Sequence, residues 1–221
     1  MKRSFEMVKF VIIRHGYSIY NKAKKFTGQT DIPLDEVGFE QAKDTGEYVL
    51  QNYKIDKIYS SDLIRAIDTA KPVAEALGLP INKDPDLREI NAGCWEGRYI
   101  ADLKVEYPEA FEKWATDVGL ARCGDGESSE ELSKRCERVF KKIARENEGK
   151  TVLIATHGGV VRALRCNWLG IPLSEMKNVP HVSNSSVTVA EYDNETDTAK
   201  LTLIGYDGHL KDKVTEFTLA V

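Results

Sequence analysis

The chain has 221 residues, of which 42% are apolar and 30% charged, and its 31 Lys and Arg against 35 Asp and Glu give a net charge of -4. That balance fits a globular chain and argues against disorder, collagen or a coiled coil. A mildly acidic protein is also a poor wrapper of nucleic acid, although one small basic pocket stays compatible with it.

No apolar run reaches the roughly 18 residues of a membrane span, so no membrane partner is expected. The opening stretch from Met1 to Met7 lacks the apolar segment of a secretory signal. Cys94, Cys123, Cys136 and Cys166 form neither a CxxC pair nor a Cys/His cluster at zinc spacing. Neither a disulfide framework nor a metal site is expected, and the thiols suit a cytoplasmic protein.

The first element is an apolar, β-branched strand at Val8 to Ile13, which runs straight into Arg14-His15-Gly16. A helix is predicted over Asp35 to Gln51, with Asp35 as its N-cap after Pro33. A short strand at Lys57 to Ser60 leads to a helix predicted over Asp62 to Leu77, which stops at Gly78-Leu79-Pro80. The stretch from about 91 to 127 holds two Trp, a Pro and several Gly. It is the least regular part and is expected to leave the core as an excursion. Ser128 to Asn147 reads as a helix, because Ser128 and Glu131 have capping-box spacing. A third strand at Thr151 to Ala155 runs into Thr156-His157-Gly158-Gly159, and a helix follows over Val160 to Leu169. Strands at Ser186 to Tyr192 and Leu201 to Tyr206 flank a turn at Asp193-Asn194. Strands alternating with helices predict an α/β fold with a mostly parallel sheet, and the whole of 1–221 reads as one domain.

Two of the four histidines share a setting: His15 and His157 each lie past the end of an apolar strand and before Gly. In open α/β sheets ligands bind outside the carboxyl ends of the strands. If the two strands are neighbours, both imidazoles face one crevice. Metal binding is the alternative, but Arg14 and Arg162 near the two histidines favour an anion. Arg65, in the first turn of a helix, opposes the helix dipole. A bound anion would offset this, and a surface salt bridge is the other reading. Glu89 by itself reads as a solvated loop carboxylate. Arg forks match phosphate oxygens, a neutral His can attack phosphorus, and a carboxylic acid can protonate a leaving oxygen. The set suggests phosphoryl transfer without a metal or other cofactor.

Four motifs in order give the chain a resemblance to the histidine phosphatase superfamily, in its phosphoglycerate mutase-like branch. They are Arg14-His15-Gly16-Tyr17-Ser18-Ile19-Tyr20-Asn21 with Phe26 to Leu34; Ser60 to Ala70; Leu87 to Gly97; and Thr156 to Leu164. The resemblance runs from about 8 to 206 and implies a three-layer α/β/α sandwich. It implies His15 as the nucleophile, with Arg14, Arg65 and His157 holding the phosphoryl group and Glu89 as general acid. It also implies that Asn21, Thr27, Gly28, Gly158 and Ser18 line the substrate pocket, with the excursion forming part of its cover.

The family holds both phosphatases and phosphoglycerate mutases. Glu89 and His157 are 68 residues apart, whereas the mutases carry a longer insertion there. The mutases place a Tyr three positions and a Lys eleven positions after the acid, where this chain has Ala92 and Ile100. They also use an Arg-Arg pair that this sequence lacks. Losing such charge-assisted contacts costs a few kcal/mol of binding. The expectation is therefore a phosphatase for the monoester of a small metabolite. A mutase is the alternative, and a catalytically silent binding protein is the minority reading. The oligomeric state is not legible, and a homodimer stays open. Tyr17 reads equally as a surface residue or as part of the leaving-group side. Trp95, Tyr99, Tyr107, Phe111 and Trp114 are expected mainly to pack the excursion. No role is assigned to His181 or His209.

Overall fold

A computed structural model describes residues 6–215. Its strands are β1 (Val8–Arg14), β2 (Lys57–Ser60), β3 (Ile81–Lys83), β4 (Thr151–Thr156), β5 (Val187–Asp193) and β6 (Thr198–Tyr206). They form one sheet in the order β3-β2-β4-β1-β5-β6. The four strands from β3 to β1 run parallel, and β5 and β6 are antiparallel additions.

The reason lies in the apolar runs. Parallel strands covered on both faces must be apolar at every position rather than alternately. In β1 and β4, Phe10, Ile12, Val152 and Ile154 join a core with Leu132, Val139, Phe140, Ile143 and Leu164. These partners lie on α6 (Ser129–Glu146) and α7 (Gly158–Leu169). The alternate residues Val11, Ile13, Leu153 and Ala155 pack with Val49, Ala66, Ala70 and Val73. Those come from α2 (Glu36–Asn52) and α3 (Ile64–Leu77). The expected three layers follow, and each fully buried Ile, Leu or Val contributes about 1.5–3 kcal/mol by burial.

The register positions the site. Arg14 on β1 lies opposite Thr156 on β4. His15 and His157 are the next residues of each strand, so they leave the sheet side by side. The His15 amide donates to the Thr156 carbonyl at 2.8 Å.

Three expectations change. The start of α3 is Ile64, not Asp62, and no side chain of its own caps it. Asp62 instead receives a two-pronged ion pair from Arg88 at 2.6 and 2.5 Å, and the Ile64 amide donates to Asp31 at 2.7 Å. A carboxylate from a distant loop thus takes the place of the local cap. Strand β3 was too short and polar to stand out. The third change concerns the 91–127 stretch, which carries α4 (Ile100–Glu106) and α5 (Pro108–Thr116). Trp95 holds it, with ring centroids 5.6, 5.9 and 6.3 Å from Phe26, Phe111 and Trp114. These helices are too short to show several turns of periodicity, so tertiary packing decides them. Trp95, Phe111 and Trp114 are buried packing residues as expected, while Tyr99 is half exposed.

Candidate active site

His15 sits at the end of β1 and is buried. Its Nδ1 lies 2.8 Å from the Gly16 carbonyl oxygen. A carbonyl can only accept, so Nδ1 carries the proton and Nε2 presents its lone pair. Burial first, then Arg65 and Arg14, pushes His15 well below the ordinary histidine pKa. The ring is therefore neutral at physiological pH, the form a nucleophile needs. The His157 ring centroid lies 5.1 Å away. Burial and the same cations keep His157 neutral as well.

Two guanidiniums frame this pair. Arg14 donates through Nη1 to the Val182 carbonyl at 2.6 Å. Arg65 donates through Nη1 to Thr30 O and through Nη2 to Gly28 O, both at 2.8 Å. Burial lowers both to about 10, while Glu89 acts in the opposite direction on each. They remain cations at neutral pH. Glu89 is itself buried. Its Oε1 accepts from the Ile90 amide at 2.8 Å, and its Oε2 accepts from the Gly159 amide at 3.0 Å. The carboxylate that the sequence by itself suggested as solvated and in a loop is therefore buried and held by two backbone amides.

The glycines after His157 let Arg14 and Glu89 approach the backbone closely. A Cβ on Gly158 would lie 3.2 Å from Arg14 Nε, and one on Gly159 would lie 3.2 Å from Glu89 Cδ with Oε1 nearer still. Gly28 adopts φ +51°, in the left-handed region where glycine is favoured. Its carbonyl is thereby turned onto Arg65.

Several buried polar atoms around the pocket have no partner among the described residues: Arg65 Nε, Thr27 Oγ1 and both ring nitrogens of His157. Buried polar groups are normally satisfied. Donors left open beside two buried cations describe an anion site. Among the described residues, no three His, Cys, Asp or Glu side chains converge on a common point.

Ser18 and Asn21, also expected at the site, are buried and bonded to each other. The Ser18 hydroxyl caps α1 (Ile19–Ala23) by accepting from the Asn21 amide at 3.2 Å, and it donates to Asn21 Oδ1 at 2.9 Å. Asn184 Nδ2 reaches His15 O at 3.0 Å and Asn21 Oδ1 at 3.5 Å.

Sequence reasoning missed Asn184, Gln29, Glu96 and Arg135. Asn184 belongs to a small polar run just ahead of β5. Because β5 is antiparallel to β1, its beginning lies at the site end of the sheet, a fact no local pattern reveals. Glu96 accepts from the Gln29 amide at 2.8 Å, the Thr30 hydroxyl at 2.8 Å and the Ala92 amide at 3.0 Å. It thereby pins the loop whose carbonyls hold Arg65. Arg135 pairs with Glu127 at 2.6 Å and donates to the Arg88 and Glu89 carbonyls at 2.8 and 3.1 Å, which fixes the backbone carrying Glu89. His209 is structural: its Nε2 meets the Thr45 hydroxyl at 2.8 Å and its ring stacks on Tyr48.

Residues 10–204 match the model of the histidine phosphatase superfamily, branch 1. The chain belongs to this superfamily. This histidine phosphatase is 34% identical to phosphoglycerate mutase-like protein 4 of Arabidopsis thaliana over 72% of its own length and 70% of that protein. It is 31% identical to the metal-independent phosphoserine phosphatase of the same plant over 93% of its length and 88% of that protein. Among solved structures, Bacillus stearothermophilus YhfR superposes with a TM-score of 0.87 at 30% identity, covering 92% of this chain and all of that one. Ala92 and Ile100 of this histidine phosphatase, which occupy the Tyr and Lys positions of the mutases, are both buried in the core. Neither side chain is placed to bind a substrate carboxylate. Among the described residues, no helix is long and apolar enough to cross a membrane.

Proposed function

We propose that this protein, a phosphoric monoester hydrolase of the histidine phosphatase type, cleaves the phosphate ester of a small cytoplasmic metabolite through a phosphohistidine on His15. The observation that carries the reading is the hydrogen bond from His15 Nδ1 to Gly16 O. It aims an unprotonated Nε2 at a pocket with two buried cations and open donors. In the first step Nε2 attacks phosphorus and the P–O ester bond breaks. Glu89 in its protonated form passes its proton to the departing oxygen. Arg14, Arg65 and His157 take up the charge that gathers on the phosphoryl oxygens. In the second step the Glu89 carboxylate removes a proton from water. The water oxygen bonds to phosphorus, the P–N bond breaks, and His15 returns to its neutral form.

Thr27 and the Gly158 backbone border the phosphoryl group, and Asn21 acts with Ser18 behind it to hold the His15 turn. The 91–127 segment forms part of the substrate cover. Hydrolysis, rather than return of the phosphoryl group to a second substrate, is supported by the buried Ala92 and Ile100. It is supported too by the likeness to a phosphatase described as metal-independent.

The test is release of phosphate from p-nitrophenyl phosphate in the presence of EDTA. Wild type hydrolyses it, and His15→Ala does not. Full activity in that variant overturns the mechanism. Interconversion of 2- and 3-phosphoglycerate far faster than phosphate release would make the protein a mutase.

A further inference from the structure

Beside the phosphoryl pocket lies a second basic feature that the chemistry above does not use. Arg162 is on α7, three residues beyond Gly159, or about 4.5 Å along the helix axis. It is largely buried. Its Nε and Nη2 donate to the Met176 carbonyl at 3.1 and 2.7 Å, and its Nη1 lies 2.7 Å from His181 Nε2. A guanidinium only donates, so His181 Nε2 accepts and the ring is neutral. Burial and the nearby arginines push His181 well below the ordinary histidine pKa.

Among the described residues, no carboxylate offsets Arg162. Its neighbours are the Cys166 thiol and Arg165, a second cation, which is held through Nη1 on the Pro180 carbonyl at 2.5 Å. Leaving a buried cation without a counter-ion is costly, and a neutral side chain could serve the Met176 carbonyl equally well. Arg162 and His181 face a narrow cavity of about 20 Å³ with Gly159, Ile90, Trp114 and Leu132 on its walls. That volume admits one small group. The cavity also touches the active site directly, because the Gly159 amide binds Glu89 and Ile90 follows the acid in the chain.

We propose that this cavity receives a carboxylate of the substrate, so that the preferred substrates are phosphate monoesters bearing a carboxylate a few bonds from the ester oxygen. The proposal rests on the hydrolase reading. A carboxylate is flat and small enough for the cavity, and Arg162 Nη1 and Nη2 each carry a second proton beyond those given to His181 and Met176, whereas a second phosphoryl group is too bulky. The three-residue offset along α7 sets the separation at two or three bonds. The apolar walls suit the short carbon stem between the two anions.

The experiment compares kcat/KM within pairs that differ by the carboxylate: O-phosphoserine against O-phosphoethanolamine, and 3-phosphoglycerate against glycerol 1-phosphate. Wild type is expected to favour the carboxylate-bearing member of each pair at least tenfold. Arg162→Gln should collapse that ratio towards one, mainly through KM, and Arg162→Lys should keep part of it. Melting temperatures of both variants establish that they fold. A wild-type ratio near one overturns the proposal. So does a ratio that Arg162→Gln leaves intact, or equal losses on both members of a pair, which would mark Arg162 as structural. Failure to hydrolyse any of the four esters or p-nitrophenyl phosphate would overturn the hydrolase reading, and this proposal with it.

Discussion

Substituting Gly159→Ala tests the acid without touching it. The added methyl would lie 3.2 Å from Glu89 Cδ and closer still to Oε1, against about 3.5–4.0 Å for an ordinary carbon contact. The carboxylate must therefore retreat by several tenths of an ångström or more. Among the described residues it is held by two backbone amides, Ile90 at 2.8 Å and Gly159 at 3.0 Å. Hydrogen bonds to a charged group are worth about 1.5–3 kcal/mol each. Loss of one, together with misplacement of the proton donor, should lower kcat/KM by about 10- to 100-fold. The loss should depend on the leaving group. A nitrophenolate departs without protonation, so p-nitrophenyl phosphate should be hydrolysed at close to the wild-type rate. An alkyl phosphate such as glycerol phosphate needs the proton and should bear nearly the whole loss. Steady-state rates on the two esters, with a melting curve as control, decide the matter. Equal losses on both esters would show that Gly159 matters to the fold or to phosphate binding, and would refute the assignment of Glu89 as proton donor.

Arg65→Lys keeps the charge but cannot bridge the Thr30 and Gly28 carbonyls while facing the phosphoryl group; kcat/KM should fall by about 100-fold or more, with weaker inhibition by inorganic phosphate. The buried histidines also predict a pH dependence of stability. His15 and His157 stay neutral in the folded protein below pH 6.5, whereas the unfolded chain takes up their protons. The unfolded state then binds more protons, so stability falls as pH drops from about 7 to 5, by up to about 1.4 kcal/mol per pH unit for each histidine. Melting temperatures in phosphate-free buffer should show this, and His157→Gln should flatten the slope; an unchanged slope would refute the reasoning. Trp95→Ala empties the centre of the aromatic cluster and should cost about 3–5 kcal/mol, read as a lower melting temperature.

The amino-acid sequence by itself determined most of the scaffold and the chemistry. The runs Phe10 to Ile13 and Val152 to Ala155 are apolar at every position because they are covered on both faces, and that pattern is local. The capping box at Ser128 and Glu131 and the glycine stop at Gly78 are local too, and all appear as expected. His15, His157, Arg14 and Arg65 stood out because each sits where a strand or helix end makes its residue type unusual.

What tertiary structure alone decided depends on partners far apart in the chain. Glu89 has no local peculiarity, and it is drawn beside His157 because the Gly159 amide, 70 residues later, donates a hydrogen bond to it. Asp62 gave up its expected capping role because Arg88 is folded against it. Asn184 supports His15 across 169 residues because an antiparallel strand begins at the site end of the sheet. Sequence patterns report the periodicity of single elements, whereas a hydrogen bond between loops depends on the sheet order. The net charge of -4 shows the same division. Composition excluded a broad basic surface, but only the fold gathers Arg14, Arg65 and Arg162 around one end of the sheet.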